Sequence, residues 1–136
     1  MLISSKGTYA IRAITDMAEN DGLNNYVCIS SIAERLNVSR KYLECIMTLL
    51  SKNKIIDVAY GKCGGYKLNK EPKDYNLLDI LIITEDNLKP VPCPCINGKD
   101  NCTQMKNCAT LETYKELHNL ITNFLKNKTI ADLMSK

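Results

Sequence analysis

The sequence predicts a mainly α-helical chain with one small β-hairpin, closed by a long helix whose apolar face is too wide for one small domain to cover. Three observations carry this. Apolar residues recur at helical spacing through most of the chain. One β-branched run, Ile55 to Tyr60, is followed by a glycine-rich turn and a short return strand. Residues 109–127 then keep a single apolar stripe unbroken.

Taken in order, Ser4 or Ser5 is expected to cap a first helix to about Asn20, with Ala10, Ile14, Met17 and Ala18 inward. Asp21-Gly22 and Asn24-Asn25 mark a loop. Val27 to Ile29 reads as short and extended. Ser30 is expected to cap a second helix to Leu36, with Ile32, Ala33 and Leu36 inward. Asn37-Val38 turns the chain, and Ser39 caps a third helix, RKYLECIMTLLSKN, with Leu43, Ile46, Met47 and Leu50 in one stripe. Two short helices joined by a tight turn make a helix-turn-helix, whose second helix places its N-terminal residues at the base edges of the major groove. Here those residues are Ser39, Arg40, Lys41 and Tyr42. A hydroxyl, a guanidinium, an ammonium and an aromatic ring suit phosphate and base contacts, whereas the bland reading is a helical hairpin with a polar tip.

The hairpin that follows favours DNA. A β-hairpin directly after the third helix is the order of a winged helix-turn-helix. The glycines around Gly64 let its tip enter a narrow groove, and Lys62 can reach phosphate or the minor groove. Pro72 ends the wing. Asn76 is expected to cap a short apolar helix, LLDILIIT, that packs under the wing or against a second subunit; Glu85, Asp86 and Asn87 close it.

Pro90 to Cys108 has neither helical nor strand periodicity and reads as a loop. It holds Cys93, Cys95, Cys102 and Cys108, four of the seven cysteines. A cysteine-dense loop is either a disulfide scaffold or a metal site. The odd total argues against a closed disulfide framework. Cys28 and Cys45 are expected as small core or edge residues, and Cys63 as an exposed bystander at the wing tip. In the long helix, Leu111, Tyr114, His118, Ile121 and Leu125 alternate at three and four residues, and Leu117, Leu120 and Phe124 broaden the face. That face should pack on its own domain and on a second copy, with His118 an interface residue. Thr129 and Asp132 resemble a capping box opening a last short helix. The expected organisation is 1–74 for DNA binding and 75–136 for the cysteine loop and dimerisation helix.

Bulk properties agree. Residues 1–70 carry ten Lys/Arg against six Asp/Glu, and residues 71–136 carry eight against nine. The basic half is a plausible nucleic-acid face, though the excess is small enough for an ordinary surface. Lys6, Arg12 and Asp16 interrupt any leader-like run, and no segment approaches the ~18 apolar residues of a membrane helix. A soluble, cytoplasmic protein is therefore expected, and thiols clustered in a reducing cytosol more often bind metal or sense redox. No nucleophile–base pair or nucleotide-binding loop suggests an enzyme.

Several segments together resemble the IscR/NsrR/CymR group of bacterial winged-helix regulators, the Rrf-two family. They are SSKGTYAIRAI, ISSIAERLNVSRKYLECIM, GKCGGYKL, the Cys102 and Cys108 segment, and TIADLM. The resemblance implies a homodimer on a roughly palindromic double-stranded operator, with the long C-terminal helices crossing at the interface. It also implies base reading by Tyr42 and Glu44 early in the third helix. Some members bind an iron–sulfur cluster through three cysteines and a fourth, non-cysteine ligand; others answer to thiol chemistry or to a partner protein. Cys102 and Cys108 match the second and third cluster cysteines, and either Cys93 or Cys95 matches the first. The family's fourth ligand falls on Leu111 in one branch and Thr8 in the other, and neither side chain supplies it. The resemblance therefore leaves two ligand sets open: Cys102 and Cys108 with one of Cys93 and Cys95, or all four loop thiolates from one chain, which suit a two-iron or a four-iron cluster and also zinc. The alternatives are a cluster-free thiol-responsive regulator of the same fold and a winged-helix protein-interaction module.

Overall fold

The computed structural model describes residues 3–62, 64–91, 93–97 and 107–134. The expectations for Cys63 and Cys102 lie outside the described residues. The elements are α1 (Ser5–Glu19), α2 (Ile29–Leu36), α3 (Arg40–Lys52), β1 (Ile56–Ala59), β2 (Gly65–Leu68), α4 (Leu77–Thr84), α5 (Leu111–Asn127) and α6 (Ile130–Leu133). Short 3-10 turns occupy Pro72–Asp74 and Pro94–Asn97, the second within a segment expected to be loop throughout.

Capping accounts for most helix starts. Ser4 Oγ accepts from the Gly7 N–H, Ser39 Oγ from the Tyr42 N–H, and Asn76 Oδ1 from the Asp79 N–H. Thr129 and Asp132 form a reciprocal capping box at α6. The expected cap of α2 is corrected. Ile29 is already helical, the N-cap is Cys28, and Ser30 lies inside the helix. The cause is tertiary. Val27 donates to the Tyr66 carbonyl at 2.7 Å and accepts from the Tyr66 N–H at 2.9 Å, so extended backbone ends at residue 27 and the helix begins earlier. The last long helix starts at Leu111, two residues later than expected, because Ala109 and Thr110 form a turn.

The core is one cluster. Ala10, Ile14 and Met17 of α1, Ile32 of α2, and Leu43, Ile46, Met47 and Leu50 of α3 are fully buried, together with Ile80 and Leu81 of α4 and Ile130 of α6. Rather than lying under the wing, α4 packs chiefly on α1, α5 and α3. Ser4 ties the two ends of this packing together, its N–H and hydroxyl both donating to Glu85 Oε1 at 2.8 Å. A bidentate pair joins α1 to α2: Arg35 Nε and Nη2 donate to the two carboxylate oxygens of the buried Asp16 at 2.8 Å.

The wing is a two-stranded antiparallel ribbon pairing Ile56 with Leu68 and Ala59 with Gly65. Ile56 and Leu68 are buried, so one end of the ribbon is anchored in the core while the other projects. Tyr75, 2 % exposed, closes its base. The phenol donates to the Ile55 carbonyl at 2.8 Å and accepts from the Asn69 N–H at 3.0 Å. Burial pushes this phenol above its ordinary pKa.

Candidate DNA interface and cysteine loop

The stripe that buries one side of α3 turns the other side outward, exposing Arg40, Lys41, Glu44, Cys45 and Thr48. Ser39, also exposed, caps the helix. Arg40 Nε donates to Glu44 Oε1 at 3.2 Å in an i,i+4 pair with both side chains largely in solvent. Such a pair contributes about 0–1 kcal/mol and yields readily, so the guanidinium can exchange Glu44 for a phosphate or a guanine edge. Tyr42 is placed differently from Arg40 and Lys41: it is half-buried, its ring perpendicular to that of Tyr9 at 5.9 Å.

Between α3 and the wing lies an open cleft of about 450 Å³. Arg40, Glu44 and Thr48 form one wall and Tyr60, Gly61 and Lys62 the other, and Cys28 and Gly64 are among the further lining residues. The hairpin needs its glycines for different reasons. Gly61 has φ +103°, in the left-handed region. At Gly64 a Cβ would collide with the Ala59 carbonyl oxygen. Lys62 is exposed at the projecting end. Tyr60 is 91 % exposed beside it, a feature that alternation in IIDVAY did not single out. Elsewhere on the wing, Lys67 Nζ sits 5.7 Å from the exposed Tyr26 ring.

Cys28 and Cys45 are both exposed, correcting the expectation of core or edge positions. Cys28 became the helix cap and so faces the cleft, while Cys45 falls opposite the buried stripe of α3. The Ser30 backbone N–H and then its hydroxyl, at the open end of α2, hold the Cys28 thiol below its ordinary pKa, with a smaller contribution from Arg40.

In the cysteine loop, Cys93 is half-buried and Cys95 is 2 % exposed, in the 3-10 turn that packs on α5. Cys108 is exposed, with Sγ 3.4 Å from Thr110 Oγ1. That hydrogen bond lowers its pKa and favours the thiolate. Leu111 is buried and its side chain has no donor atom, and Thr8 is exposed with only a hydroxyl, a poor ligand. Among the described residues, no three Cys, His, Asp or Glu side chains converge on a point where a metal could sit. The donor chemistry nonetheless fits an iron–sulfur cluster: soft thiols dominate the segment, and one is already biased toward thiolate.

Leu111 and Leu125 of α5 are buried, but Leu117, Leu120 and Phe124 stand 42 %, 68 % and 57 % exposed, next to α4 with Ile82 at 58 %. His118 is half-buried, and its Nδ1 is enclosed with no hydrogen-bond partner among the described residues. Among the described residues, no helix is long and apolar enough to cross a membrane.

A helix-turn-helix braced by a β-wing, with a polar recognition turn facing that wing across a cleft, defines a winged-helix DNA-binding regulator. The chain belongs to the Rrf2 family, described as iron-dependent transcriptional regulators, whose pattern matches residues 3–136. It is 31% identical to the HTH-type transcriptional regulator IscR of Vibrio cholerae over 98% of this chain and 75% of that one. The IscR of Escherichia coli is 30% identical over 99% and 81%. Among solved structures it resembles CymR, the global cysteine regulator of B. subtilis, with a TM-score of 0.78 and 25% identity over 98% of this chain and 95% of that one. The T. potens IscR structure gives a TM-score of 0.72 and 29% identity over 98% and 85%. The chain is thus a transcription regulator of a DNA-binding, non-enzymatic family.

Proposed function

We propose that this regulator is a cytoplasmic homodimer that binds a palindromic operator and is gated by an iron–sulfur cluster held in its cysteine loop. The observation that carries the DNA reading is the exposed turn of α3 opposite the wing. In this reading Ser39 and Lys41 take phosphates, while Arg40, Glu44 and the Tyr42 hydroxyl face base edges. Lys62 and the close-packed turn at Gly64 carry the wing into the adjacent groove. Residues 1–74 form the DNA-binding part and 75–136 the sensor and dimerisation part. The exposed row of Leu117, Leu120 and Phe124 supports self-association, since contiguous apolar surface on one helix marks an interface. A two-fold dimer presents two recognition helices to a palindrome.

Cys102 and Cys108 would hold the cluster with Cys93 or Cys95, or with both, as a two-iron or four-iron form. When bound, the cluster supplies a group sensitive to redox, nitric oxide or iron–sulfur status. The chain's own contribution is mechanical. The turn carrying Cys95 packs on α5, and α5 packs on α4, so the anchoring of the loop bears on the helices that carry the proposed dimer face. The test is the visible absorption of protein isolated without oxygen. Charge-transfer bands, lost in Cys102→Ser and in Cys108→Ser, are expected. Unequal effects of Cys93→Ser and Cys95→Ser would identify the first ligand, which we assign to Cys95.

A second reading, a cluster-free thiol-responsive regulator, is favoured by one observation: Cys28 and Cys45 both lie exposed on the side of the α3–wing cleft or the recognition helix. Colourless anaerobic protein that refuses reconstitution, yet loses operator binding on mild oxidation, would select it.

A further inference from the structure

The recognition turn is steadied by a residue outside the helix-turn-helix. Tyr42 is the third residue of α3, one position beyond Lys41 and two beyond Arg40. Its backbone N–H is held by the Ser39 hydroxyl at 3.1 Å. Its ring, half-buried, meets the ring of Tyr9 from α1 at 5.9 Å with the planes 87° apart. Perpendicular pairs of this kind contribute beyond simple burial because the positive edge of one ring meets the negative face of the other. The Arg12 guanidinium carbon lies 4.9 Å from the centre of the Tyr9 ring, so Tyr9 is itself fixed by a cation. The first turn of α3 is thereby held at two points, its backbone by the cap and its side chain by α1. The Arg40 side chain itself is paired with the exposed Glu44, an interaction that is weak.

We infer that Tyr9 is a positioning residue for DNA recognition: by fixing the Tyr42 ring it sets the placement of Arg40 and Lys41 before DNA arrives. The inference rests on the reading of α3 as the recognition helix. A supporting shell of this kind improves the match to one geometry and leaves the charge untouched. It therefore acts on discrimination between operator and random DNA, not on the number of phosphates neutralised.

The test measures affinity for operator and for random duplex across a salt series, using the full-length dimer. Tyr9→Leu and Tyr9→Met keep an apolar filler at the site, and Tyr9→Phe keeps the ring. A ratio of operator to random affinity that drops about three- to tenfold in the Leu and Met variants is expected, with the salt slope unchanged and the Phe variant close to the parent. In a Tyr42→Leu background, Tyr9→Leu should cost nothing more, because the interaction is already gone. A parental ratio in Tyr9→Leu and Tyr9→Met, with Arg40→Ala still losing discrimination, overturns the positioning role alone. A loss in Tyr9→Leu that is undiminished in the Tyr42→Leu background also overturns it. If the parent prefers no DNA sequence and Arg40→Ala changes nothing, the reading of α3 falls too.

Discussion

Arg40 and Lys62 stand on opposite walls of one cleft, and in the proposed reading removing each should leave a different signature on DNA binding. Lys62→Ala is expected to weaken operator and random DNA about equally and to lower the salt slope by about one. Arg40→Ala should cost about 1–3 kcal/mol on the operator and relax specificity. Anisotropy titrations at several salt concentrations separate the two. Cys28 makes a pH prediction. The Ser30 amide lowers its pKa, so the thiolate dominates at lower pH than in an ordinary cysteine. Alkylation of Cys28, followed by peptide mass spectrometry, should rise through a midpoint below 9.0. Tyr75 has the opposite sign. Its phenol pKa is raised above 10.0 by burial, so its stabilising contribution is complete below pH 10.0 and is lost as pH rises through the folded value. Tyr75→Phe leaves the Ile55 carbonyl without its donor and should cost about 1–2 kcal/mol at neutral pH, measured by urea unfolding.

At the scale of elements, the α1–α2 junction depends on a charge pair that hydrophobic periodicity does not reveal. Asp16 lies within the buried face of α1, and Arg35 reaches it from the last turn of α2. Arg35→Ala would leave a carboxylate 9 % exposed and unpaired by Arg35. Since the Arg35 side chain is itself 37% exposed, the expected loss is about 1–3 kcal/mol, less than for a fully buried pair. Urea midpoints of the parent and variant would measure it. The same contrast runs through the chain. The α3 stripe of Leu43, Ile46, Met47 and Leu50 was legible because burial of a helix face follows a local period. The caps at Ser4, Ser39, Asn76 and Thr129 were legible because a side chain bonds within its own turn. The start of α2 was not, because the Val27–Tyr66 bridge comes from a distant strand. Tyr9 against Tyr42 was equally hidden: both rings lie outside the strongest stripes, and nothing local pairs them.

At the scale of the whole molecule, the proposed DNA-facing side and the exposed row on α5 lie on different elements, linked through α4 and α1. That arrangement suits a regulator in which a change in the loop alters how two copies meet and so how two recognition helices are spaced. The apolar width of α5, and with it the expectation of a second copy, was legible in sequence; which residues form the outward row was not, since Leu111 and Leu125 are covered whereas Leu117, Leu120 and Phe124 are exposed. Leu120→Glu together with Phe124→Glu should shift dilute protein from dimer toward monomer in sedimentation, while preserving the fold of residues 1–74. The most direct test of the central claim is the operator affinity of one anaerobic preparation, measured before and after its iron and sulfide are removed by a chelator. The account predicts a coloured starting protein and a change in affinity of about tenfold or more, consistent with ordinary allosteric coupling. A colourless protein that resists reconstitution and binds its operator with unchanged affinity would contradict it.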